Sequence, residues 1–197
     1  MRIALVGSRW FGAEMLKILH AKGHDLHVVA PDAEDRLAQT AVELGYTPVL
    51  HTGRRKVTHE DMPGEFDVVM SAHSHAFIPL DKAKIASIGY HPSLLPRWRG
   101  IASVEWTIKA GDPIAGGSVY HLTDEMDAGG IAAQDWCFVV PGEDAAELWR
   151  RELGPMGLRL LTQVVDEIAA TGACKAEPQD ERFVTMAPRI KDPAPAS

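Results

Sequence analysis

An α/β fold on a doubly wound, mainly parallel sheet is what this sequence predicts, and three observations carry the prediction. Short apolar runs alternate with stretches of helical spacing through the first half. The helical stretches close on glycines, Gly23 and Gly45, as helices do where the chain must turn left-handed. One apolar run stops at His91 and a proline-rich turn, and in such sheets ligands bind beyond the carboxyl ends of the strands.

Arg2 to Val6 is a short apolar run ending at Gly7, which reads as a strand. Phe11, Met15, Leu16 and Leu19 form one stripe of a helix over Phe11 to Lys22. Asp25 to Ala30 reads as a second strand and Ala33 to Leu44 as a second helix. Thr47 to Leu50 is a third strand, whose Pro48 lacks an N–H and so suits the edge of a sheet. Phe66 to Ser71 is apolar and β-branched enough to be central. Leu80 to Ala86 reads as a short helix or turn, and Ser87 to His91 as the fifth strand, which delivers the histidine.

The second half changes character. Val104 to Ala110 is expected to be helical, stopped by Gly111-Asp112-Pro113. Ala115 to Leu122 and Ile131 to Val139 read as long strands joined by an acidic, glycine-rich loop. Glu143 to Ala170 has helical spacing through Leu148, Leu153, Leu158, Leu161, Val165 and Ile168, with Gly154-Pro155 as a kink or a boundary and Gly172 as the end. Phe183 to Met186 is expected as a last strand. One domain is expected over residues 1–190, followed by a flexible tail over 191–197 that carries Pro193 and Pro195.

Composition narrows the function classes. At 46% hydrophobic residues, the 197-residue chain has enough apolar side chains for a core. With 27 acidic against 20 basic residues the net charge is −7, which argues against general nucleic-acid binding but not against contact with one anionic group. Cys137 and Cys174 build no disulfide framework and stand in no metal-like spacing, so both are expected as buried thiols in a reducing compartment. The opening apolar run is too short for a signal peptide, and no run approaches membrane-spanning length. A cytoplasmic protein without membrane contact is expected, with a homo-oligomer left open.

The most informative stretch is Ile88-Gly-Tyr-His-Pro-Ser-Leu-Leu-Pro-Arg-Trp-Arg-Gly100. Pro92 and Pro96 fix two backbone angles and push their predecessors into extended geometry, so His91 is held with little freedom at a strand end. An imidazole held there suits general acid or base chemistry, although a lone histidine in a proline-rich loop is more often just packed. The run resembles the signature of the folate-dependent formyltransferases, Asn-x-His-Pro-Ser-Leu-Leu-Pro-x-x-x-Gly. A second segment, Leu122-Thr-Asp-Glu-Met-Asp-Ala-Gly-Gly130, is similar to the folate-binding loop of that family, which carries its catalytic aspartate. The resemblance covers roughly residues 1–190. It implies a Rossmann-like sheet of the formyltransferase type, 10-formyltetrahydrofolate as donor, and His91 and Asp127 as the residues that move protons. It further implies that Asp124, Met126 and Gly129 belong to the folate loop, with Asp124 either capping the turn or shaping the pterin pocket.

Ala76-Phe-Ile-Pro79 maps onto one wall of the family's pterin slot, which places Phe77 and Ile78 beside the donor; a plain core role for Phe77 is the alternative. Arg9 and Trp10 stand in the first loop, Gly7-Ser-Arg-Trp-Phe-Gly12, where nucleotide-formylating relatives hold a substrate phosphate. With Trp98 they are the candidate acceptor contacts, each weighed against a plain surface or packing role. His73 and His75 either line the site, one of them supplying an oxyanion donor, or form a His-x-His pair; without a third ligand at suitable spacing no metal site is expected.

One position departs from the family pattern. The asparagine two residues before the histidine is Gly89 here. In the transferases that asparagine donates to the formyl oxygen as it becomes an oxyanion, and losing such a donor typically costs about 2.7–4 kcal/mol of barrier. The hydrolase domain of 10-formyltetrahydrofolate dehydrogenase, which the motif also resembles, lacks it too. The expectation is therefore formyl transfer to a small amine. Hydrolysis to formate is the alternative, and a folate-binding protein without catalysis or a nucleotide-binding oxidoreductase is further off.

Overall fold

The computed structural model of the protein describes residues 1–52, 56–74 and 76–190, so His75 and the expected tail over 191–197 lie outside the described residues. Seven strands form one sheet: β1 (Arg2–Gly7), β2 (Asp25–Ala30), β3 (Val49–Leu50), β4 (Phe66–Ala72), β5 (Ala83–His91), β6 (Ile114–His121) and β7 (Ile131–Phe138). Their order is β3-β2-β1-β4-β5-β6-β7. β1 to β5 run parallel to one another, and β6 and β7 add antiparallel at one side. The chain order reverses between β1 and β4, the switch point at which sheets of this type open a crevice.

The helices are α1 (Arg9–Ala21), α2 (Arg36–Glu43), α3 (Ser103–Ala110), the short α4 (Ala145–Leu148) and α5 (Gly154–Thr171). α1 and α2 run into glycines with positive φ, Gly23 (75°) and Gly45 (84°), as expected from sequence. α2 begins at Asp35, whose carboxylate accepts from the Leu37 amide. α4 opens with a reciprocal capping box between Asp144 and Glu147. Gly111 and Gly172, both left-handed, close α3 and α5.

Alternation along the strands sorts the two faces of the sheet. Ile3, Leu5, Val28, Met70 and Ile88 meet Phe11, Met15, Leu16 and Leu19 of α1, Leu37 of α2, and Leu160, Leu161, Val164 and Val165 of α5. Ala4, Val6, Val29, Phe66 and Val69 point the other way, onto Val57 and Met62 of the segment between β3 and β4. Burial of each large apolar side chain contributes roughly 1.5–3 kcal/mol, so the larger cluster dominates the stability. On β5 the same alternation sends Ile88 and Tyr90 to the helical face and Gly89 and His91 to the other.

Four expectations are corrected. Leu80 to Ala86 is a 3₁₀ turn only over Leu80–Lys82; β5 starts at Ala83, because Phe66 of β4 pairs with Ala83 across a register shift. The long helical run is split by five residues of π-helix, Trp149–Leu153, after which α5 begins at Gly154-Pro155, the boundary the sequence offered. Phe183 to Met186 is not a strand: Glu181–Phe183 is a 3₁₀ turn, and Met186 makes a single bridge to Arg99. Cys137 and Cys174 are free and half-buried rather than fully buried; partial burial raises both thiol pKa values, which keeps them protonated near neutrality. No helix among the described residues is long and apolar enough to cross a membrane.

Candidate active site

The site lies where β5 ends, on the sheet face away from α1 and α5. Behind His91 the Pro-Ser-Leu-Leu-Pro turn is tied down from within and from β6 and β7. The Ser93 hydroxyl donates to the Arg97 carbonyl at 2.6 Å, and the Ser118 hydroxyl donates to the Ser93 carbonyl at 2.6 Å. Gln134 of β7 donates to the Leu95 carbonyl and the Ser118 hydroxyl, each at 2.8 Å. The turn is thus a rigid bracket, not an open loop.

His91 Nε2 lies 2.8 Å from the Trp98 carbonyl oxygen. A carbonyl only accepts, so Nε2 carries the proton and donates it there. Nδ1 is the remaining ring nitrogen, and it faces Asp127 Oδ2 at 3.5 Å, with the two side chains 9% and 12% exposed. The carboxylate is fixed at both oxygens: the Tyr120 hydroxyl donates to Oδ1 at 2.7 Å and the Gly100 amide donates to Oδ2 at 2.8 Å. Burial, the Asp127 charge and this hydrogen bond together push the Tyr120 phenol well above its ordinary pKa, so it remains a donor at any pH the protein meets. Tyr120 reaches the site because antiparallel pairing sets it opposite Gly89.

At Gly89 a Cβ would stand 2.9 Å from Leu122 Cδ2, 3.5 Å from Ser71 Cβ and 3.6 Å from Tyr120 Cε1. The position is bordered by apolar atoms and brings no side-chain donor. His73 follows β4 with a left-handed backbone (φ 63°), and its ring stands edge-on to Trp149 with centroids 6.1 Å apart.

The remaining sequence-derived candidates scatter around this centre. Gly129 is buried in the loop, where a Cβ would lie 1.7 Å from the His121 carbonyl oxygen, so only glycine fits. Asp124 and Met126 are exposed on the same loop. Phe77 is 73% exposed, which rules out a core role, and Ile78 packs half-buried on the smaller cluster. Trp98 is locked by its surroundings. Its indole N–H donates to Asp112 at 2.8 Å and its ring stacks on Trp106 at 5.6 Å. Burial would raise the Asp112 pKa, but hydrogen bonds from Arg97 and Trp98 outweigh it and hold the carboxyl below the ordinary range. Arg9 and Trp10 stand at the start of α1, across β4 from His91. The Arg9 amide donates to both oxygens of Asp35, at 2.9 and 3.1 Å, and Trp10 packs by Phe11 and Gly154. Among the described residues no group of three or more metal-ligating side chains comes together.

Residue types gave no forewarning of the Trp98 carbonyl, the Gly100 amide, Tyr120 or Gln179, all of which touch the pair or its loop. Two are main-chain groups and two arrive from distant segments. The Arg99-Gly100 end of the histidine motif was the nearest signal.

Comparison with known proteins places the chain in a family. Residues 55–165 match the family model described as formyl transferase. The mouse mitochondrial 10-formyltetrahydrofolate dehydrogenase is 33% identical in an alignment that covers 94% of this chain and 22% of that protein. The chain thus spans about a fifth of the length of the dehydrogenases it matches. A methionyl-tRNA formyltransferase from Lactobacillus delbrueckii subsp. bulgaricus is 28% identical, over 95% of this chain and 64% of that one. Among solved structures, an N-formyltransferase from Helicobacter canadensis, in complex with folinic acid and dTDP-3-aminofucose, superposes with a TM-score of 0.79 at 15% identity, covering 95% of this chain and 70% of its own. Glycinamide ribonucleotide transformylase 1 from Symbiobacterium toebii gives 0.74 at 19% identity, over 90% and 94%. With its family model matched over more than half its length and its sheet shared with these enzymes, the chain belongs to the formyl transferase family.

Proposed function

We propose that this protein moves the formyl group of 10-formyltetrahydrofolate to the amine of a small acceptor, with His91 and Asp127 carrying the proton. The observation that supports it is the buried His91–Asp127 pair, 3.5 Å apart, with the carboxylate fixed by Tyr120 and Gly100. Nε2 is committed to Trp98, which leaves Nδ1 to act. Nδ1 takes a proton from the attacking amine, and the imidazolium so formed is balanced by Asp127. The formyl carbon bonds to the acceptor nitrogen, its bond to N10 breaks, and the proton passes to N10 as tetrahydrofolate leaves. The exposed apolar side chains of Phe77 and Met126 are suited to wall a pterin.

The acceptor is not anchored by a phosphate at the first loop. Asp35 already receives the Arg9 amide, and a second anion at that helix start would meet its carboxylate. A small neutral or cationic amine suits the site better. Hydrolysis is the second reading, favoured by Gly89, which brings no side-chain donor to the place where the family has asparagine.

The test is turnover of 10-formyltetrahydrofolate with and without a panel of small amines, following N-formyl product and formate. Amine-dependent product supports transfer. Amine-independent formate release puts hydrolysis in its place, and no loss of 10-formyltetrahydrofolate in either arm overturns both. His91→Ala is expected to lower turnover by about 10²–10⁴-fold while folate affinity persists; undiminished turnover removes His91 from the chemistry.

A further inference from the structure

We propose that Gln179, gripped by Arg99, is a positioning residue that sets the backbone of the Asp127 loop and with it the spacing of Asp127 and His91. The inference depends on the formyl-transfer reading only for its effect on turnover.

Asp127 adopts left-handed backbone geometry (φ 53°), uncommon outside glycine, asparagine and aspartate, and contacts fix it there on both sides. Tyr120 and Gly100 hold its side chain, whereas Gln179 holds its main chain. The Gln179 amide nitrogen donates to the Asp127 carbonyl at 2.7 Å and to the Gly129 carbonyl at 2.8 Å, spanning Ala128 with one group. Its oxygen accepts from Arg99 Nε at 3.0 Å and Nη2 at 2.7 Å. A guanidinium only donates and a carbonyl only accepts, so the amide has one orientation that satisfies both sides.

Arg99 is itself an anchor. Its side chain is 8% exposed and pairs with Glu181 at 2.7 Å. Its amide donates to the Thr185 carbonyl and its carbonyl accepts from the Ala187 amide. The segment carrying Gln179 is pinned by reciprocal backbone bonds between Glu177 and Ile131, directly after the loop. Three consecutive residues therefore reference both members of the pair: Trp98 receives the His91 proton, Arg99 grips Gln179, and Gly100 donates to Asp127. Gln179 touches no reacting atom. It acts through the loop.

Gln179→Glu keeps the size and the contact with Arg99 but turns an acceptor toward two carbonyls. Hydrogen exchange of the 123–131 backbone is expected to rise by about 10-fold or more, while α5 and β4 keep wild-type protection. Turnover is expected to fall by about 10–100-fold, yet by less than about 3-fold in an Asp127→Asn background, because the group being positioned is already lost. A residue with only a general structural role would lower both backgrounds alike. Unchanged exchange over 123–131, or equal losses in the two backgrounds, overturns the proposal. If Gln179→Glu fails to fold, Arg99→Lys, which leaves one donor toward Gln179, is read the same way. Looser exchange in a protein whose wild type does not consume 10-formyltetrahydrofolate leaves the positioning intact and defeats the formyl-transfer reading instead.

Discussion

At the scale of single residues, the centre is set by commitments that leave each group one option. His91 has one nitrogen occupied by a carbonyl, Asp127 has each oxygen occupied by a donor, and Tyr120 stays protonated. Trp98 and Asp127, which touch the pair, hold positive φ at 59° and 53°, as Arg9, Thr52 and His73 do elsewhere among the described residues. Gly89 is the position where a substitution is most informative. An entering Cβ meets only the far end of Leu122 closely, so Gly89→Asn is expected to fold. A gain in amine formylation of about 10-fold or more would place the new amide on the oxyanion, part of the roughly 10²–10³-fold such a donor is worth. A folded variant with no gain would show that the amide does not reach it, and a fall in formate release would favour water beside Gly89. His91 and Asp127 could be read from sequence because each sits in a long motif of distinct residues. Their partners could not: a main-chain carbonyl and amide have no signature, and Tyr120 depends on a strand register.

At the scale of elements, β5 does two tasks with alternate residues. His91 faces the site, and Tyr90 drives its ring into the helical layer, stacked on Phe11 at 5.5 Å. Room is made by two glycines: a Cβ on Gly117 would fall 2.1 Å from the Tyr90 hydroxyl, and one on Gly157 would fall 2.5 Å from its ring. The hydroxyl donates to the Leu153 carbonyl, the last residue of the π-helical turn. Tyr90→Phe should therefore cost about 1 kcal/mol, a drop of roughly 2–4 °C in melting temperature for a chain of this size, seen by thermal unfolding; an unchanged midpoint would make the bond dispensable. Strands and helices with clear periodicity were legible, as at Asp25–Ala30. The first half of β5 was not, since Lys84 and Ala83 lack a strand pattern and are recruited by pairing with β4. The π-helical turn was not read either, although its buried leucines, Leu148 and Leu153, stand five apart where the buried residues of α5 recur every three or four.

For the whole molecule, the parallel half of the sheet is covered on both faces, but β7 ends it as an edge. Trp136 (51% exposed) and Phe138 (65%) stand edge-to-face on that strand, with Ile114 and Val140 beside them. That edge is paired at Ile131 with Glu177 and capped at the Phe138 carbonyl by Arg151, but the exposed apolar pair on it invites association, opposed here by a net charge of −7. Trp136→Lys with Phe138→Lys is expected to raise the concentration at which light scattering reports association and to shift melting by no more than about 2 °C; earlier association would show that the pair shields the edge. The fold class followed from alternation alone, while the closing of the site depends on contacts made by residues 177–188, whose sequence has no periodicity to read. That segment reaches the Asp127 loop through Gln179, the histidine motif through Thr185 and Ala187, and Trp106 through the Pro188 carbonyl. Translation delivers it after everything else described in the sheet. A chain emerged only as far as Gly172 holds His91 and both donors to the Asp127 carboxylate, but not Gln179, which ties down the main chain of that loop.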